Sequence, residues 1–429
     1  MTATGEASVR AAHVHLPGGA TTGPRSAAAD EDTFTLAVEA GRHLLARTEG
    51  APAPRVTRID LVGSFDPDAQ WALREALGLH AASLHPHPPG AAGAFGALSA
   101  AARASVGESA SLLLAADLDE RRAPRGASSR WGAAGMAMLL AEGEGLSVLG
   151  HSERGHPPWK PPVAREWVAA ARRAAGSVEG PLDLFLVAER APPVLLMAWE
   201  KAVPGTLTRT ISSELAGLGA SPTVAPLLSL RAMSGEALGR PTVVAVIEDG
   251  RTAFLGTSGS PSISWSESSG GGSVVPSAGA TDPPEAVSQG AYVPQATYLE
   301  NLPSRWRLVA ERCPQCGRTS FPARGACRHC GTAEGLESRS LPDRGLEVEA
   351  VTTISPGAQP AEFDPWVEAV GSYDVVVVRA DPEVRLTAQM ADTEPGLTHI
   401  GDRVRLSLRR LYRTEGAWRY GLKAVREVR

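Results

Sequence analysis

The stretch that decides the fold of the C-terminal part runs from residue 313 to residue 331 and reads CPQCGRTSFPARGACRHCG. It holds all four cysteines of the 429-residue chain, as two C-x-x-C pairs with ten residues between them. A glycine follows each pair, which lets the backbone turn tightly so that its amides can face the sulfur atoms. This spacing predicts one tetrahedral Zn²⁺ site with four thiolate ligands, Cys313, Cys316, Cys327 and Cys330.

Two other interpretations of these cysteines compete with a zinc site. The four residues could form disulfides or occur in pairs by chance. Both interpretations are disfavoured because the rest of the chain contains no cysteine. A redox C-x-x-C motif needs only one pair and a βαβ context, and neither condition describes these cysteines. A closed site of four thiolates leaves no open coordination position, so we expect a structural zinc ion and not a catalytic one.

The domain boundaries follow from changes in composition along the chain. Residues 257–293 are rich in Ser, Gly and Pro without a hydrophobic period, which predicts a flexible linker. We therefore divide the chain into an α/β domain (1–256), the linker (257–293), a lead-in helix with the zinc ribbon (294–340) and a final domain (341–429). Five short strand patterns separated by Gly and Pro predict that the final domain is a small closed β-barrel.

The first 256 residues alternate helical patterns with apolar strands, which is typical of an α/β layered domain. The same alternation of helices and strands returns from residue 163 onward, so the two halves look like versions of one unit. The segment SASLLLAAD (109–117) contains an unbroken apolar run, which predicts a strand buried on both faces. We expect the edge of this strand to offer unpaired backbone groups to a partner chain.

Composition excludes several classes of protein. The net charge of −5 argues against a nucleic-acid partner, for which a basic stripe is expected. No apolar run reaches the roughly 18 residues that a membrane span needs. The N-terminal sequence MTATGEASVRAAHVHLPGG has no apolar core of a signal peptide. Together with reduced cysteines, these features predict a cytoplasmic protein without membrane contact.

Two parts of the sequence resemble known families. The segment from Tyr298 onward, with YLENLPSRWRL (298–308), FPAR (321–324) and both C-x-x-C-G motifs, is similar to the zinc-ribbon/OB-fold proteins that accompany thiolases and bind acyl-CoA. The first domain resembles the thiolase superfamily and is closest to archaeal-type hydroxymethylglutaryl-CoA synthases. That similarity rests on DEDTFTLAVEAGRHLL (30–45), AAGAFGAL (91–98) and GASPTVAPLLSLRAM (219–233). The resemblance implies a thiolase-like α/β fold, an OB-fold barrel and CoA or acyl-CoA as ligand.

The catalytic residues that the resemblance implies are not present in this chain. The position of the nucleophilic cysteine falls at about Gly90, and the position of the general-base glutamate holds Phe65. The expected histidine is replaced by the stretch 188–190 (AER), and LAGLGAS (215–221) lacks the expected asparagine. The loss of all these groups predicts no catalytic residue and argues against Claisen-type acyl transfer.

Other side chains could in principle supply chemistry. Ser83, His85 and His87 lie near the former nucleophile loop, but a Ser/His pair would also need an oriented acid, and we interpret them as solvated turn residues. His151 and His156 could suggest a metal site, but their spacing favours an exposed loop.

Basic side chains alternate along a strand of the barrel. Arg403, Arg405 and Arg409 could meet CoA phosphates on one face of that strand. The same residues could equally form a solubilising edge that resists strand pairing. Both interpretations of these arginines stay open from the sequence.

The sequence thus favours a non-catalytic scaffold or accessory subunit of a thiolase-type acyl-CoA condensing complex. The chain would form a homodimer or a heteromer with a catalytic thiolase-fold subunit, and the zinc-ribbon/OB unit would help bind the CoA or pantetheine arm. The alternative is an acyl-CoA condensing enzyme or acyltransferase that uses non-standard residues. A nucleic-acid-binding zinc/OB protein is a third possibility, which nothing basic or aromatic-rich supports.

Overall fold

The structure is a computed structural model. It describes residues 7–17, 30–48, 55–105, 107–118, 133–156, 162–187, 192–211, 221–233, 240–248, 250–259, 263–269, 295–357, 371–414 and 416–427. Within these ranges, no helix has the length and apolar character that crossing a bilayer requires.

The α/β domain consists of two repeats of the same eight elements. The first repeat comprises β1 (Ala7–Leu16), α1 (Thr33–Thr48), β2 (Arg55–Gly63), α2 (Pro67–Leu77), β3 (Ser83–His87), α3 (Ala91–Ala104), β4 (Ser109–Asp117) and β5 (Ala134–Glu142). The second comprises β6 (Leu146–Gly155), α4 (Ala164–Ala174), β7 (Asp183–Val187), α5 (Pro193–Ala202), β8 (Thr208–Ile211), α6 (Val224–Met233), β9 (Thr242–Glu248) and β10 (Arg251–Ser258).

Both repeats have the same strand order. The strand order in the sheet is β3-β2-β4-β5-β1-β6-β10-β9-β7-β8. From the outer edge inward, the strands of each repeat therefore follow the order third, second, fourth, fifth, first. In each repeat the fifth strand is antiparallel to its neighbours. The shared order confirms that the two halves are versions of one unit, which sequence identity alone did not establish.

Three core clusters divide the domain into five layers. Helices α3 and α6 lie in the central cluster between strands of both repeats. Helices α1 and α2 cover the outer face of the first repeat, and α4 and α5 cover that of the second. A strand between two helical layers needs apolar side chains on both faces. In β4, Leu113 faces the central cluster, whereas Leu112 and Leu114 face α1 and α2.

The expectation that β4 is an open edge is wrong. Strand β4 pairs with β2 on one side and with β5 on the other, so its backbone groups are already bonded within the chain. Its apolar run is correctly predicted to be buried on both faces, but that burial is typical of a strand inside the sheet. The outermost strands of the described sheet are β3 and β8.

The C-terminal part contains the predicted ribbon and barrel. It begins with α7 (Gln295–Glu300) and α8 (Leu302–Arg307), followed by the ribbon strands β12 (Val309–Arg312), β13 (Thr319–Ser320) and β14 (Glu337–Ser340). The strands β15 (Leu346–Ile354), β16 (Tyr373–Asp381), β17 (Val384–Ala391), β18 (Arg403–Thr414) and β19 (Ala417–Arg426) form a closed barrel in the order β15-β16-β17-β19-β18. This topology confirms the predicted fold class of an α/β layered domain, a ribbon and a small barrel.

The stretch that was predicted to be a linker is only partly described. Strand β10 extends into it to Ser258, and residues 264–269 form a further strand, β11 (Ser264–Ser269). Strand β11 runs parallel to β1, beside its second half. Residues 270–294 lie outside the described residues, so for them the linker stays a prediction.

The ribbon and barrel pack directly against the α/β domain. Trp306 of α8, Leu408 of β18 and Tyr298 of α7 belong to the same core cluster as α1 and α2. The Tyr420 ring meets Phe34 of α1 edge-on, with centroids 4.7 Å apart. The Tyr420 carbonyl accepts hydrogen bonds from Trp306 Nε1 at 3.0 Å and from the Tyr298 hydroxyl at 2.9 Å. The two units therefore share one continuous core.

Three buried histidines lie at the junction of β1, α1 and β11. The rings of His13 and His43 stack with centroids 4.7 Å apart, and His15 is fully buried beside them. The two ring nitrogens of His13 lie 2.7 and 2.8 Å from the hydroxyls of Ser266 and Ser268 on β11. These side-chain contacts add to the parallel backbone pairing of β11 with β1.

Burial keeps these histidines neutral in the folded chain. It lowers the pKa of His13 to about 3, helped by the neighbouring His43 and by Arg344 and Arg47. It likewise lowers the pKa of His43 to about 4, although the Glu39 carboxylate opposes the shift. Unfolded histidine has a pKa of about 6.5, so the unfolded chain binds protons first as the pH falls.

We predict that the free energy of unfolding falls as the pH is lowered from 7.5 to 5.5. The stabilisation is complete above the unfolded pKa of about 6.5, and each of His13 and His43 removes up to about 1.4 kcal/mol per pH unit below it. Urea unfolding at both pH values measures the slope. His43→Gln should flatten the slope relative to the wild type. Equal slopes for His43→Gln and the wild type would contradict this origin.

Candidate functional site

The four cysteines converge on one point of the ribbon. Their sulfur atoms all lie within 4.8 Å of one another. The Sγ atoms of Cys313 and Cys330 are 3.6 Å apart, as are those of Cys316 and Cys327. Tetrahedral zinc with Zn–S bonds of about 2.3 Å requires sulfur atoms about 3.8 Å apart. The geometry of the sulfur atoms therefore fits a zinc ion bound by all four residues.

The two knuckles are built alike. The N–H of Gly317 donates to the Cys313 carbonyl at 2.9 Å, and the N–H of Gly331 donates to the Cys327 carbonyl at 2.9 Å. Both glycines have positive φ, 71° and 78°, which a side chain would strain. The backbone N–H of His329 donates to Cys327 Sγ and lowers the pKa of this thiol to about 6. The turn geometry thus favours the thiolate of Cys327, the form that binds metal.

We expect the ribbon to depend on a metal ion for its structure. Its three strands form a small sheet in the order β13-β12-β14, and Cys313 and Cys327 are themselves buried. So short a segment buries too little apolar surface to fold alone. Structural zinc supplies folding free energy in such domains, so we expect zinc to hold the ribbon together.

A second candidate site is the N-terminus of the central helix α3, where the resemblance places a nucleophile. Gly90 precedes the helix with φ of 96°, and its N–H donates to Thr223 Oγ1 at 3.1 Å. The N–H of Ala91 donates to Glu248 Oε1 at 2.8 Å. Burial raises the pKa of Glu248. The first amides of α3, which could otherwise polarise a substrate, are thus bonded to side chains of this chain.

The N-terminus of the other central helix, α6, is closed in the same way. Asp117 Oδ2 accepts from the N–H groups of Thr223 and Val224 at 2.8 and 2.9 Å, and the Ser221 hydroxyl also donates to it. Asp117 ends β4 and Glu248 ends β9, the fourth strands of the two repeats. Each repeat therefore contributes a carboxylate that caps the central helix of the other. Because such a pair requires distant residues to meet, no local sequence signal could have identified it.

The remaining positions of the implied catalytic set are only partly described. Phe65 lies just after the end of β2. Its ring packs close to Gly63, because a Cβ added to Gly63 would be only 2.9 Å from the ring. Residues 188–190, and 215–220 of the stretch LAGLGAS, lie outside the described residues. The prediction that the chain has no catalytic residue therefore stays a prediction.

The histidines that were interpreted as turn residues lie in a strand. Ser83, His85 and His87 alternate along β3, and His85 Nε2 lies 3.0 Å from Ser83 Oγ. The buried acid nearby, Asp60, bonds to His87 Nε2 at 2.7 Å and to Arg58. The acid thus orients His87, whereas the serine contacts His85. This arrangement does not form the Ser-His-acid relay that nucleophilic catalysis needs.

The prediction that His151 lies in a loop is also wrong, although the residue is exposed as expected. His151 lies in β6, opposite Leu255 of β10, and His156 follows directly after that strand. In the described part of the chain, only the four cysteines bring three or more metal-binding side chains together. The metal-site alternative for the two histidines therefore has no support from this geometry.

Two of the barrel arginines face the α/β domain and are buried. Arg405 Nη1 donates to Glu39 Oε2 of α1 at 2.9 Å. Arg409 pairs with Glu31, and its Nη2 donates to Asp392 Oδ2 at 2.9 Å. Burial alone would raise the pKa of Glu39, but Arg405 and other neighbouring cations outweigh it and hold that pKa well below its usual range. These two arginines therefore join the domains.

Arg403 differs from the other two because it is exposed. Its Nη1 donates to the Gly345 carbonyl at 2.7 Å, and its Nη2 lies 3.8 Å from Glu347. The predicted phosphate contact of Arg403, Arg405 and Arg409 is not tested by this geometry. However, binding a phosphate would require Arg405 and Arg409 to leave their carboxylates.

A comparison with protein families identifies the ribbon. The family of the ChsH2 rubredoxin-like zinc ribbon domain matches residues 303–337, which include all four cysteines. The match and the convergence of the sulfur atoms confirm the prediction of a zinc ribbon with a four-cysteine metal site.

Similar proteins exist for parts of the chain. A DUF35 domain-containing scaffold protein of Methanothermobacter thermautotrophicus is 28% identical over 125 residues, which are 29% of this chain and 89% of that protein. A protein of the same description from Methanocaldococcus jannaschii is 26% identical over 125 residues, 29% of this chain and 84% of that protein. Among solved structures, the acyltransferase ChlB3 has a TM-score of 0.45 at 17% identity, covering 60% of this chain and 99% of that chain. This TM-score says nothing about the activity of the present chain.

We predict one zinc equivalent per chain and its loss when Cys316 is replaced by Ser. Three ligands bind zinc far more weakly than four, and the ribbon should lose its structure together with the metal. Elemental analysis measures the zinc, and limited proteolysis of the ribbon measures its order. His329→Asn is the matched control, because His329 neighbours two ligands, is exposed and lies outside the four-cysteine set. Freshly purified, reduced protein without zinc would refute the site.

We also predict that each carboxylate cap stabilises the α/β domain. Asp117→Ala should lower the free energy of unfolding by roughly 2 kcal/mol, because three charge-assisted hydrogen bonds at a buried helix end are lost. Glu248→Ala, which loses one bond to a half-buried carboxylate, should cost about 1 kcal/mol. Glu153→Ala is the control, since its side chain is 61% exposed. Chemical denaturation that finds Asp117→Ala as stable as Glu153→Ala would contradict the capping role.

Proposed function

We propose that this chain is a non-catalytic scaffold or accessory subunit of a thiolase-type acyl-CoA condensing complex. The observation that carries the proposal is the closed N-terminus of α3. There Gly90 stands at the position that the resemblance assigns to the nucleophile, and Glu248 accepts the hydrogen bond of the adjacent Ala91 amide.

This arrangement is unfavourable for acyl transfer. A thioester-forming cysteine uses the helix N-terminus to lower its thiol pKa, so that a reactive thiolate is present at neutral pH. A carboxylate at the same place has the opposite effect, because a neighbouring negative charge raises the pKa of a thiol. A Cβ added to Gly90 would lie 3.4 and 3.5 Å from the two carboxylate oxygens of Glu248. The site is therefore arranged for stability and not for a nucleophile.

The scaffold role draws on the relatives and on the packing of the barrel. The two relatives are named scaffold proteins, and their 125 matched residues are close in size to the ribbon and barrel together. In this chain the barrel packs on α1 through a shared core and through buried ion pairs. Such a fixed arrangement can present a ribbon and barrel to a second protein at a defined distance from the α/β domain.

The partner and ligand follow from the resemblance. We propose a homodimer or, preferably, a heteromer with a catalytic thiolase-fold subunit, whose CoA or pantetheine arm would pass the ribbon and barrel. Arg403 is the exposed arginine of the predicted set and is available for a CoA phosphate. We place the complex in the cytoplasm.

We predict that the native chain co-purifies with an acyl-transferring thiolase-fold protein and forms no acyl-enzyme itself. Affinity purification with mass spectrometry identifies the partner, and size-exclusion chromatography with light scattering measures the complex. Incubation of each purified subunit with acetyl-CoA, followed by intact mass measurement, should find the adduct on the partner alone.

Two outcomes would overturn the proposal. A stable monomer that binds no partner would refute the scaffold role. An acyl adduct on this chain, mapped by peptide sequencing, would favour the alternative of an acyltransferase with non-standard residues.

A further inference from the structure

Strand β11 occupies a place in the sheet beside β1, on the side opposite to β5. Ser8 and Val9 at the start of β1 pair with β6, whereas the rest of the strand, from Ala11 to Leu16, pairs in parallel with β11. In the described part of the chain, β11 forms a backbone ladder with no strand other than β1. Removal of β11 would therefore turn the second half of β1 into an open strand edge.

Side chains of β1 and β11 form a continuous chain of hydrogen-bonded groups. Ser266 Oγ lies 2.7 Å from Nδ1 of His13. Ser268 Oγ lies 2.8 Å from Nε2 of the same ring and 3.0 Å from Nδ1 of His15. Both serines lie directly opposite these histidines in the parallel ladder. Strand β11 is therefore tied to two imidazoles, the side chains whose charge changes most readily near neutral pH.

The third histidine of the cluster extends this link to α1. The ring of His43 stacks on His13 with an interplanar angle of 10°. Two imidazolium cations in this position would repel each other, and a buried pair is hardly screened by salt. The stack therefore favours neutral rings.

Charged groups on the neighbouring elements face this cluster. Burial, the stacked ring and nearby cations lower the pKa of His13 to about 3. Burial and cations lower the pKa of His43 to about 4, and Glu39 opposes both shifts. Burial also lowers the pKa of His15, whose Nε2 lies 4.0 Å from Glu31. The cations come from α1, from the segment before β15 and from β18, and they are Arg42, Arg47, Arg344, Arg405 and Arg409.

Further contacts hold β11 in place without a histidine. Trp265 packs against the central core cluster, and Glu267 pairs with Arg231 at 3.0 Å. Nη2 of Arg47 lies 3.3 Å from the Ser264 hydroxyl. Because histidine is the side chain that ordinarily titrates between pH 5.5 and 7.5, the response of β11 in this range depends on the three histidines.

We propose that β11 is a pH-sensitive strap that covers the edge of β1 while the histidines are neutral and leaves it when they bind protons. The proposal does not rest on the proposed function. The barrel contact stays in place over the same pH range, because Arg405 and other cations outweigh burial and hold the pKa of Glu39 well below its usual range. Acid therefore uncovers the segment from Ala11 to Leu16 without separating the barrel from α1.

The direction and size of the effect follow from proton linkage. The closed strap holds His13 and His43 neutral down to a pH of about 4, whereas release returns them toward the ordinary pKa of about 6.5. The closed form is therefore fully favoured above pH 6.5 and loses that preference as the pH falls. From pH 7.5 to 5.5, each histidine that regains its ordinary pKa raises the equilibrium constant for opening about tenfold.

Native-state hydrogen exchange of the whole chain, read by mass spectrometry, tests the strap. After correction for the intrinsic exchange rate at each pH, protection of residues 263–269 should fall about tenfold to a hundredfold between pH 7.5 and 5.5. Low concentrations of urea should leave this exchange unchanged, because opening one strand exposes little surface. Residues 109–117 of β4, inside the sheet, should instead respond to urea, because their amides exchange through larger openings.

Two variants separate a pH-sensitive strap from a merely structural strand. His43→Phe keeps a stacked ring and loses the titrating group, and His43 Nε2 has no hydrogen-bond partner among the described residues. This variant should reduce the pH effect by up to about tenfold. Ser266→Ala is the matched control, because it removes a hydroxyl of β11 and no titrating group. It should lower protection at both pH values and keep the fall between them.

Three outcomes would overturn the strap. One is equal protection of residues 263–269 at the two pH values. Another is a fall that residues 109–117 share with the same urea dependence, which would mean global unfolding. The third is an undiminished pH effect in His43→Phe or, where circular dichroism finds that variant unfolded, in His13→Gln. None of these measurements involves a partner protein, so they leave the scaffold role untouched.

Discussion

The buried ionic contact between the barrel and the acidic residues before and within α1 is the interaction on which the domain arrangement depends. Arg405 and Arg409 of β18 meet Glu39 and Glu31, and Lys423 of β19 meets Asp30 at 2.8 Å. Desolvating these charges costs several kcal/mol for each ion, and only complete pairing offsets that cost. A slight rotation of the barrel would leave buried charges without partners. The contact therefore selects one orientation of the barrel, whatever its net contribution to stability.

That orientation also places the ribbon. Arg318 and Arg339 of the ribbon pair with Glu383 and Asp381 of the barrel, at 3.6 and 3.1 Å. The zinc ion that the four cysteines fit would hold the ribbon knuckles, and the barrel holds the ribbon against the α/β domain. The chain is thus one connected body from α1 to the metal centre, which is what a scaffold with a fixed geometry needs.

The sequence predicts those parts of the structure that depend on nearby residues. The zinc centre comes from a spacing of eighteen residues, and the five barrel strands come from short apolar patterns between turn residues. The contacts on which the proposed function rests join residues far apart in the chain. Arg405 and Glu39 are 366 positions apart, and Ala91 and Glu248 are 157 apart. A basic strand looks the same in a sequence whether it faces a phosphate, water or a buried carboxylate, so the arginines were left with two interpretations. Likewise, an apolar run shows that β4 is buried but does not show which strands pair with it.

The two repeats kept their fold and diverged in what covers their outer helices. The carboxylates Asp117 and Glu248 cap the two central helices reciprocally, so the inner layer stays symmetric. The outer layers no longer match, because Glu39 of α1 pairs with Arg405 of the barrel, whereas the described core beneath α4 and α5 contains no residue of the barrel. A duplicated domain can thus keep its inner layer under one constraint, helix capping, while one outer layer is fixed by the buried ion pairs of the barrel.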